Sequence, residues 1–527
     1  MKLGLLPIVL AGLPLVTWAD VVTWADDCNG APPYECAVTL IQQGRFPAAA
    51  GVLANLLAAS PRNVKALNLL GIALSATGNL EEANLRLRQA LEVDPGFTPA
   101  LKNLSLNQFR LGHLDEAEAG LETVLKSSPN DEVTHLYLGE IAYGAKRFAE
   151  AAVHYEKSRA QAYPVVLHYA ECLLETGRKN ELTAVLEAIP EADAEKQFQA
   201  GILLGQSGAY LQAAPYFGRA RKHAADPYIA AYDQSLMLIR GGDYAGAIQV
   251  SNELLNAGLG RAELYNLVSE AFVKTGKVED AYAALRSAIA LEPGVEDNYG
   301  DLAGICIDQA NYELGLEAVN EGIRRVPDSY RLHLQRGEIL AQQGLFDEAE
   351  RDLKTASRLS PAASAPYVAL AFAWIQRGEA DKAVDVLRGR VKAKPDDFVL
   401  WYMLGLSLNR SDAETDDEAK EAFAASVRLN PRFSRARSEL AKILLRSGDT
   451  ARAIEQLETA VKLDPEDATA AYQLGQAYRR TGDVARAQEM LARVVKLRHQ
   501  RDATDPNEEM RSLFRETGPR GERPVVK

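Results

Sequence analysis

The chain is poor in the residues on which most protein chemistry depends. It has four cysteines, seven histidines, five methionines and four tryptophans among 527 residues, and its aromatic content is 7%. Zinc sites need cysteines or histidines in close pairs, and no such spacing occurs. His113, His135, His154, His168, His223, His333 and His499 are dispersed, so they are expected on the surface or in helix packing. HExxH, the phosphate-cradling GxxxxGK[ST], the GxSxG elbow and GxGxxG are all missing. No catalytic residue, metal or cofactor is therefore expected. Excess positive charge is missing as well, with 59 Lys and Arg against 72 Asp and Glu and a formal net charge of -13. A nucleic-acid partner is not expected, because phosphate contacts need a basic face.

Long apolar runs are confined to the first residues. Lys2 precedes an apolar run from Leu3 to Val16, and Thr17-Trp18-Ala19 follows it. The run is shorter than the roughly 20 residues of a membrane span, and Pro7, Gly12 and Pro14 interrupt it. Residues 1–19 thus read as a bacterial-type secretory signal peptide cleaved after Ala19, with Ala25 as a second site and a retained anchor as the alternative. The product is expected to be periplasmic or secreted, and no later segment has the apolar length to span a membrane. In an oxidising compartment Cys28 and Cys36, which flank Pro32 and Pro33, are expected to pair and close a cap segment at 20–36. Cys172 and Cys306 read as small buried hydrophobes.

What the sequence does contain is a period of 34 residues. Gly71, Ala83, Ala90 and Pro95 recur at the same spacing as Ser269, Ala281, Ala288 and Pro293, as Gly337, Ala349, Ala356 and Pro361, and as Ala441, Ala453, Ala460 and Pro465. Leu67, Leu70 and Leu74 make one apolar stripe at helical spacing. Gly78 then ends that helix, with Gly112, Gly208, Gly276, Gly344, Gly378, Gly448 and Gly482 in the same column. Ala83, Leu87 and Ala90 lie on one face of a second helix, whose small residues permit close approach. Pro95 closes the unit, since proline disfavours helix before it and suits the first turn after it.

These residues resemble the tetratricopeptide repeat family. The resemblance implies an all-α, right-handed superhelical solenoid of about fourteen antiparallel helix pairs over 37–501. A mostly disordered tail is expected at 502–527, within which Met510, Leu513 and Phe514 are placed to cap the last repeat. Two units depart from the pattern. Over 163–193, Leu182 stands where the second helix expects alanine and Pro190 arrives early; over 411–417, two extra residues are inserted.

The resemblance also implies a non-catalytic scaffold with a concave groove that takes a protein or peptide. Its columns hold Glu263, Glu270, Asp297, Asp301 and Asp308 as an acidic stretch, then Val368, Phe372 and Tyr402 as an apolar one. Arg435, Lys442, Arg446, Arg479 and Arg480 follow as a basic stretch. Such a groove suits a segment with an apolar anchor and opposite charges at its ends; the plainer alternative is scattered surface charge. The Lys and Asn columns with which some family members grip a terminal carboxylate are not matched, because Lys102 and Asn103 lack partners in neighbouring units. A carbohydrate-binding scaffold, with Phe372, Tyr402 and Tyr472 as stacking platforms, is a second expectation. A non-catalytic subunit of an enzyme complex is a third. By analogy, assembly of an envelope, secretion or exopolysaccharide complex is the expected role.

Overall fold

The structure is a computed structural model that describes residues 30–158, 165–411 and 416–500. The expected signal peptide, Cys28 and the tail at 502–527 lie outside these residues. Among the described residues, regular structure is helical throughout and the chain divides into two compact units, the first ending at Gly241 and the second beginning at Gly242. The first unit holds α1 (Pro33–Gln42), α2 (Phe46–Ala59), α3 (Val64–Ala76), α4 (Leu80–Val93), α5 (Thr98–Leu111), α6 (Leu114–Ser127) and α7 (Glu132–Gly144). It continues with α8 (Phe148–Lys157), α9 (Val166–Glu175), α10 (Leu182–Leu186), α11 (Ala194–Ser207), α12 (Tyr210–His223) and α13 (Tyr228–Arg240). The second holds α14 (Tyr244–Asn256), α15 (Ala262–Lys274), α16 (Val278–Leu291), α17 (Glu296–Asp308), α18 (Tyr312–Arg325), α19 (Tyr330–Gln342) and α20 (Phe346–Leu359). It ends with α21 (Ala365–Arg377), α22 (Ala380–Ala393), α23 (Phe398–Leu408), α24 (Asp416–Leu429), α25 (Ser434–Arg446), α26 (Thr450–Leu463), α27 (Ala468–Arg480) and α28 (Val484–Gln500).

Each helix starts and stops for local reasons. Asn63, Asn79, Asp131, Asp193, Asp243, Asp449 and Asp467 cap helix N-termini by accepting a bond from a backbone N–H two or three residues on. The turn inside a pair needs one left-handed residue, as at Gly78 with φ of 85° and Gly378 with φ of 84°. Lys146 and Ala310 occupy the same turn with φ of 60° and 54°, where a Cβ is unfavourable. In the pair that begins with α9, a 3-10 turn (Lys179–Glu181) and the five-residue α10 replace a full second helix. Leu182 and Leu186, both fully buried, hold that short piece down.

Within a pair, a small residue on the first helix receives a large one from the second. A Cβ added at Gly71, Gly139, Gly201, Gly337 or Gly405 would sit 2.6–2.9 Å from Leu87, Tyr155, Phe217, Leu353 or Phe423 respectively. All five large side chains are fully buried. The alanines of the second helices close the other side, with Ala83, Ala90, Ala281, Ala288, Ala349, Ala356, Ala453 and Ala460 each at 0% exposure.

The closing prolines have a second role. A proline carbonyl left at the surface of the pair accepts a side-chain bond from the residue six positions on, at the start of the next first helix. Donors are His135 Nε2 to Pro129 (2.9 Å), Tyr299 Oη to Pro293 (2.9 Å), His333 Nε2 to Pro327 (3.1 Å), Trp401 Nε1 to Pro395 (2.9 Å) and Arg437 Nε to Pro431 (2.9 Å). The same position then reaches its own second helix, from His135 to His154 (2.9 Å), His333 to Asp352 (2.9 Å) and Arg437 to Gln456 (2.6 Å). Carbonyl satisfaction and pair closure are thus coupled.

Two substitutions test this packing in opposite directions. Gly405→Ala places a Cβ 2.7 Å from the Phe423 ring and is expected to destabilise by about 1–3 kcal/mol. Ala310→Gly removes the strain of its left-handed backbone and is expected to stabilise by roughly 1 kcal/mol. Denaturant melts of the full chain followed by circular dichroism read both; a Gly405→Ala midpoint equal to wild type contradicts the packing account.

Candidate binding groove

Within the second unit the first helices of successive pairs touch, α15 to α17, α17 to α19, α19 to α21, α21 to α23, and α25 to α27. They present one face, and every residue expected to line a groove lies on these helices. The residues Glu270, Gly304, Glu338, Phe372 and Leu406 fall at steps of 34, and Lys442 follows after the two-residue insertion. Read along the unit, this row runs acidic, bare, acidic, aromatic, aliphatic, basic.

The structure revises several of the expected residues. Tyr402 is the clearest correction: it is 1% exposed and packs edge-on to Phe433 at 5.0 Å and against Phe423 at 5.9 Å. Its column lies in the seam between helices, as Val368 at 1% exposure also shows, so its ring offers no stacking face. Phe372 is half-buried against the main apolar cluster of the unit, whereas Tyr472 is 44% exposed.

The acidic stretch is partly neutralised from within. Arg331 donates from Nη1 to Asp297 at 2.7 Å and from Nη2 to Asp301 at 2.8 Å. Arg331 was not singled out, although it stands 34 residues after Asp297 in the same column. Glu263 is half-buried, while Glu270 and Asp308 are exposed. On the basic side, Lys442 pairs with Glu439, and Arg446 donates to Asp416 at 2.8 Å and to Asn409 at 2.7 Å. Arg480 donates to the Leu445 carbonyl at 3.0 Å. Arg435 is half-buried. Among the described residues Arg479 is exposed and has no ion pair. In the first unit Lys102 is bound to Asp131 at 2.7 Å and Asn103 to Asn68 at 2.9 Å, so both serve packing between pairs.

Glu338, in the middle of the row, was missed by sequence reasoning although it shares its column with Glu270 and Phe372. It is 7% exposed, and among the described residues no hydrogen-bond or ion-pair partner reaches its carboxyl. Burial, assisted by the charge of Asp308, pushes its carboxyl up to about 8. The opposite face of α19 is fully engaged: Arg336 donates to both Asp352 oxygens at 2.7 and 2.6 Å, beside His333.

Among the described residues no group of three His, Cys, Asp or Glu is placed to hold a metal ion, and no helix is long and apolar enough to cross a membrane. Cys36 is in a disulfide, and its expected partner Cys28 lies outside the described residues. Cys172 and Cys306 are free and buried, and burial pushes their thiols up to about 12 and about 11, away from the reactive thiolate.

Paired helices at a period of 34, with small-for-large packing inside each pair and touching first helices between pairs, define an α-helical repeat protein. A tetratricopeptide repeat family model matches residues 35–96, 103–165, 198–262, 307–364, 417–456 and 438–506, and a second one matches 340–405. The chain belongs to the tetratricopeptide repeat family. It is 22% identical over 370 residues to the TPR repeat-containing protein YpiA of Bacillus subtilis, covering 62% of this chain and 86% of that one. It is 31% identical over 110 residues to the peroxisomal targeting signal receptor of Eremothecium gossypii, which is 21% of this chain and only 19% of the receptor's length. Among solved structures it is similar to yeast Tom70, with TM-score 0.41 and 16% identity over 86% of this chain and 95% of that one. It is also similar to the Cut9–Hcn1 complex of the APC/C, with TM-score 0.37 and 13% identity over 84% and 95%.

The buried carboxyl of Glu338 sets a pH dependence of stability. At a pH below about 4.5 the group is protonated folded or unfolded; between there and about 8 the unfolded chain loses a proton that the native one keeps. Its contribution is therefore fully present in acid and is lost as pH rises through that window. Glu338→Gln is expected to stabilise the second unit at pH 8 by an amount on the order of a few kcal/mol and to change little at pH 5. Thermal melts at the two pH values check this, and an equal effect at both contradicts it.

Proposed function

We propose that the protein is a non-catalytic scaffold that binds an extended or helical protein segment along the first-helix face of its second unit. The row from Glu270 through Phe372 to Lys442 carries this reading, because it orders acidic, apolar and basic groups along one line as a linear ligand requires. Repeat scaffolds of the tetratricopeptide family are suited to protein binding, and the finer assignment rests on that row. The half-buried Phe372 supplies the apolar anchor, and the cations beyond it select an acidic end of the ligand. The opposite charges at its two ends also make encounter sensitive to salt.

We place the protein outside the cytoplasm, in assembly of an envelope, secretion or exopolysaccharide complex. Support for export comes from the character of residues 1–19 and from the disulfide at Cys36, a bond favoured in oxidising compartments.

A displayed peptide library selected on the immobilised full chain tests the binding reading. The selected peptides are expected to share an apolar residue with acidic residues to one side of it. A variant carrying Arg435→Glu, Lys442→Glu and Arg479→Glu is expected to bind them at least about tenfold more weakly, with unchanged helicity and melting. Equal binding by this variant removes the basic row from the site.

A further inference from the structure

The row has one place where buried polar groups lack partners among the described residues. Gly300 and Gly304 leave α17 without side chains on the face toward α19. Arg331 fills the space at Gly300, its guanidinium 2.8 Å from where a Cβ would stand. At Gly304 the space stays open, and an added Cβ would meet only Gln335 Nε2, at 3.9 Å. Gln335 is followed along one face of α19 by Glu338 and Gln342, at i, i+3 and i+7.

Several polar atoms of this notch are unsatisfied. Gln335 donates through Nε2 to the Gly300 carbonyl at 2.8 Å, but its Oε1 is buried with no partner. Both amide atoms of Gln342 are buried without a partner, and Glu338, a residue only 7% exposed, makes no hydrogen bond or ion pair among the described residues. With the Glu338 carboxyl ionised, as it is above about pH 8, acceptor atoms outnumber the one unpartnered donor atom, Gln342 Nε2, and Asp308 adds a further carboxylate close enough to act on Glu338. Arg331, the cation on the same helix, is already committed to Asp297 and Asp301. Unmatched buried acceptors are costly unless a donor-rich group arrives.

We propose that the notch formed by Gly304 and Asp308 of α17 and by Gln335, Glu338 and Gln342 of α19 receives one cationic side chain, an arginine guanidinium or a lysine ammonium, of the bound partner. The inference rests on the groove reading above and adds a specific pocket to it. Both cations carry several N–H donors and no acceptor, which is the complement of what the notch offers. Phe372, one step of 34 further on, places an apolar contact next to that cation, so the preferred segment pairs a basic residue with an apolar neighbour.

The test uses Nα-acetyl-arginine methylamide, its lysine counterpart and the uncharged citrulline counterpart, titrated into the full chain at a pH above 8, where Glu338 is ionised. At least one cationic probe is expected to bind about tenfold or more tightly than the citrulline probe. Glu338→Gln is expected to weaken that probe at least about tenfold while its melting temperature stays level or rises. Gly304→Leu, which fills the open space without touching the carboxyl, is expected to lose binding as well, with helicity retained. Citrulline binding as tight as the cations, no binding of either cation, or unchanged binding by Glu338→Gln each overturns the pocket. Failure here with intact peptide selection leaves the groove standing without it; cation binding with no selected peptides leaves the pocket and removes the groove.

Discussion

Close approach between the two helices of each pair depends on one small residue of the first helix, over which a large side chain of the second lies. Gly71 under Leu87 and Gly337 under Leu353 are the tightest, each at 2.6 Å, with no room for even one additional carbon. Because the small residue stands eight positions into the unit and the large one sixteen later, the lock fixes the register of the pair. The pair from α23 keeps the lock at a separation of eighteen, which absorbs its two-residue insertion without disturbing the packed layer. With the register set, the same columns of side chains return on the first-helix face at every repeat. A line of chemistry along that face is then a direct consequence of packing inside each pair.

Much of this was legible as spacing. The glycine and alanine columns and the closing prolines announce paired helices without reference to any site. The histidines show where reading ran out. His135 and His333 look dispersed in the sequence, yet each occupies the position that donates to the preceding proline carbonyl and then reaches the second helix of its own pair. Tyr299, Trp401 and Arg437 do the same at the carbonyl with different chemistry. Residue identity therefore hides the role that position reveals.

The site was less legible, for a physical reason. Column membership says that a side chain starts on the groove side, but the size of its neighbours decides whether it stays accessible. Tyr402 points into a seam closed by Phe423 and Phe433, so an apparent groove aromatic became core. Arg331 and Glu338 stand in the same columns as residues that were noticed, and the step of 34 was enough to find them. Their consequences needed coordinates: Arg331 quenches two of the acids, and Glu338 is withdrawn from water beside the open face of Gly304. Glu338 is thereby a residue that costs stability at neutral pH, a cost ordinarily retained for function.

The claim that the first-helix face of the second unit is the binding surface is tested most directly by site-specific photo-crosslinking in living cells of the native host. One crosslinking residue replaces Gln376, exposed on the first helix α21, and another replaces Lys392, exposed on the second helix α22 of the same pair. The account predicts discrete adducts from position 376 and none from position 392. Adducts from position 392 alone, or the same adducts from both, would place the partner elsewhere and contradict it.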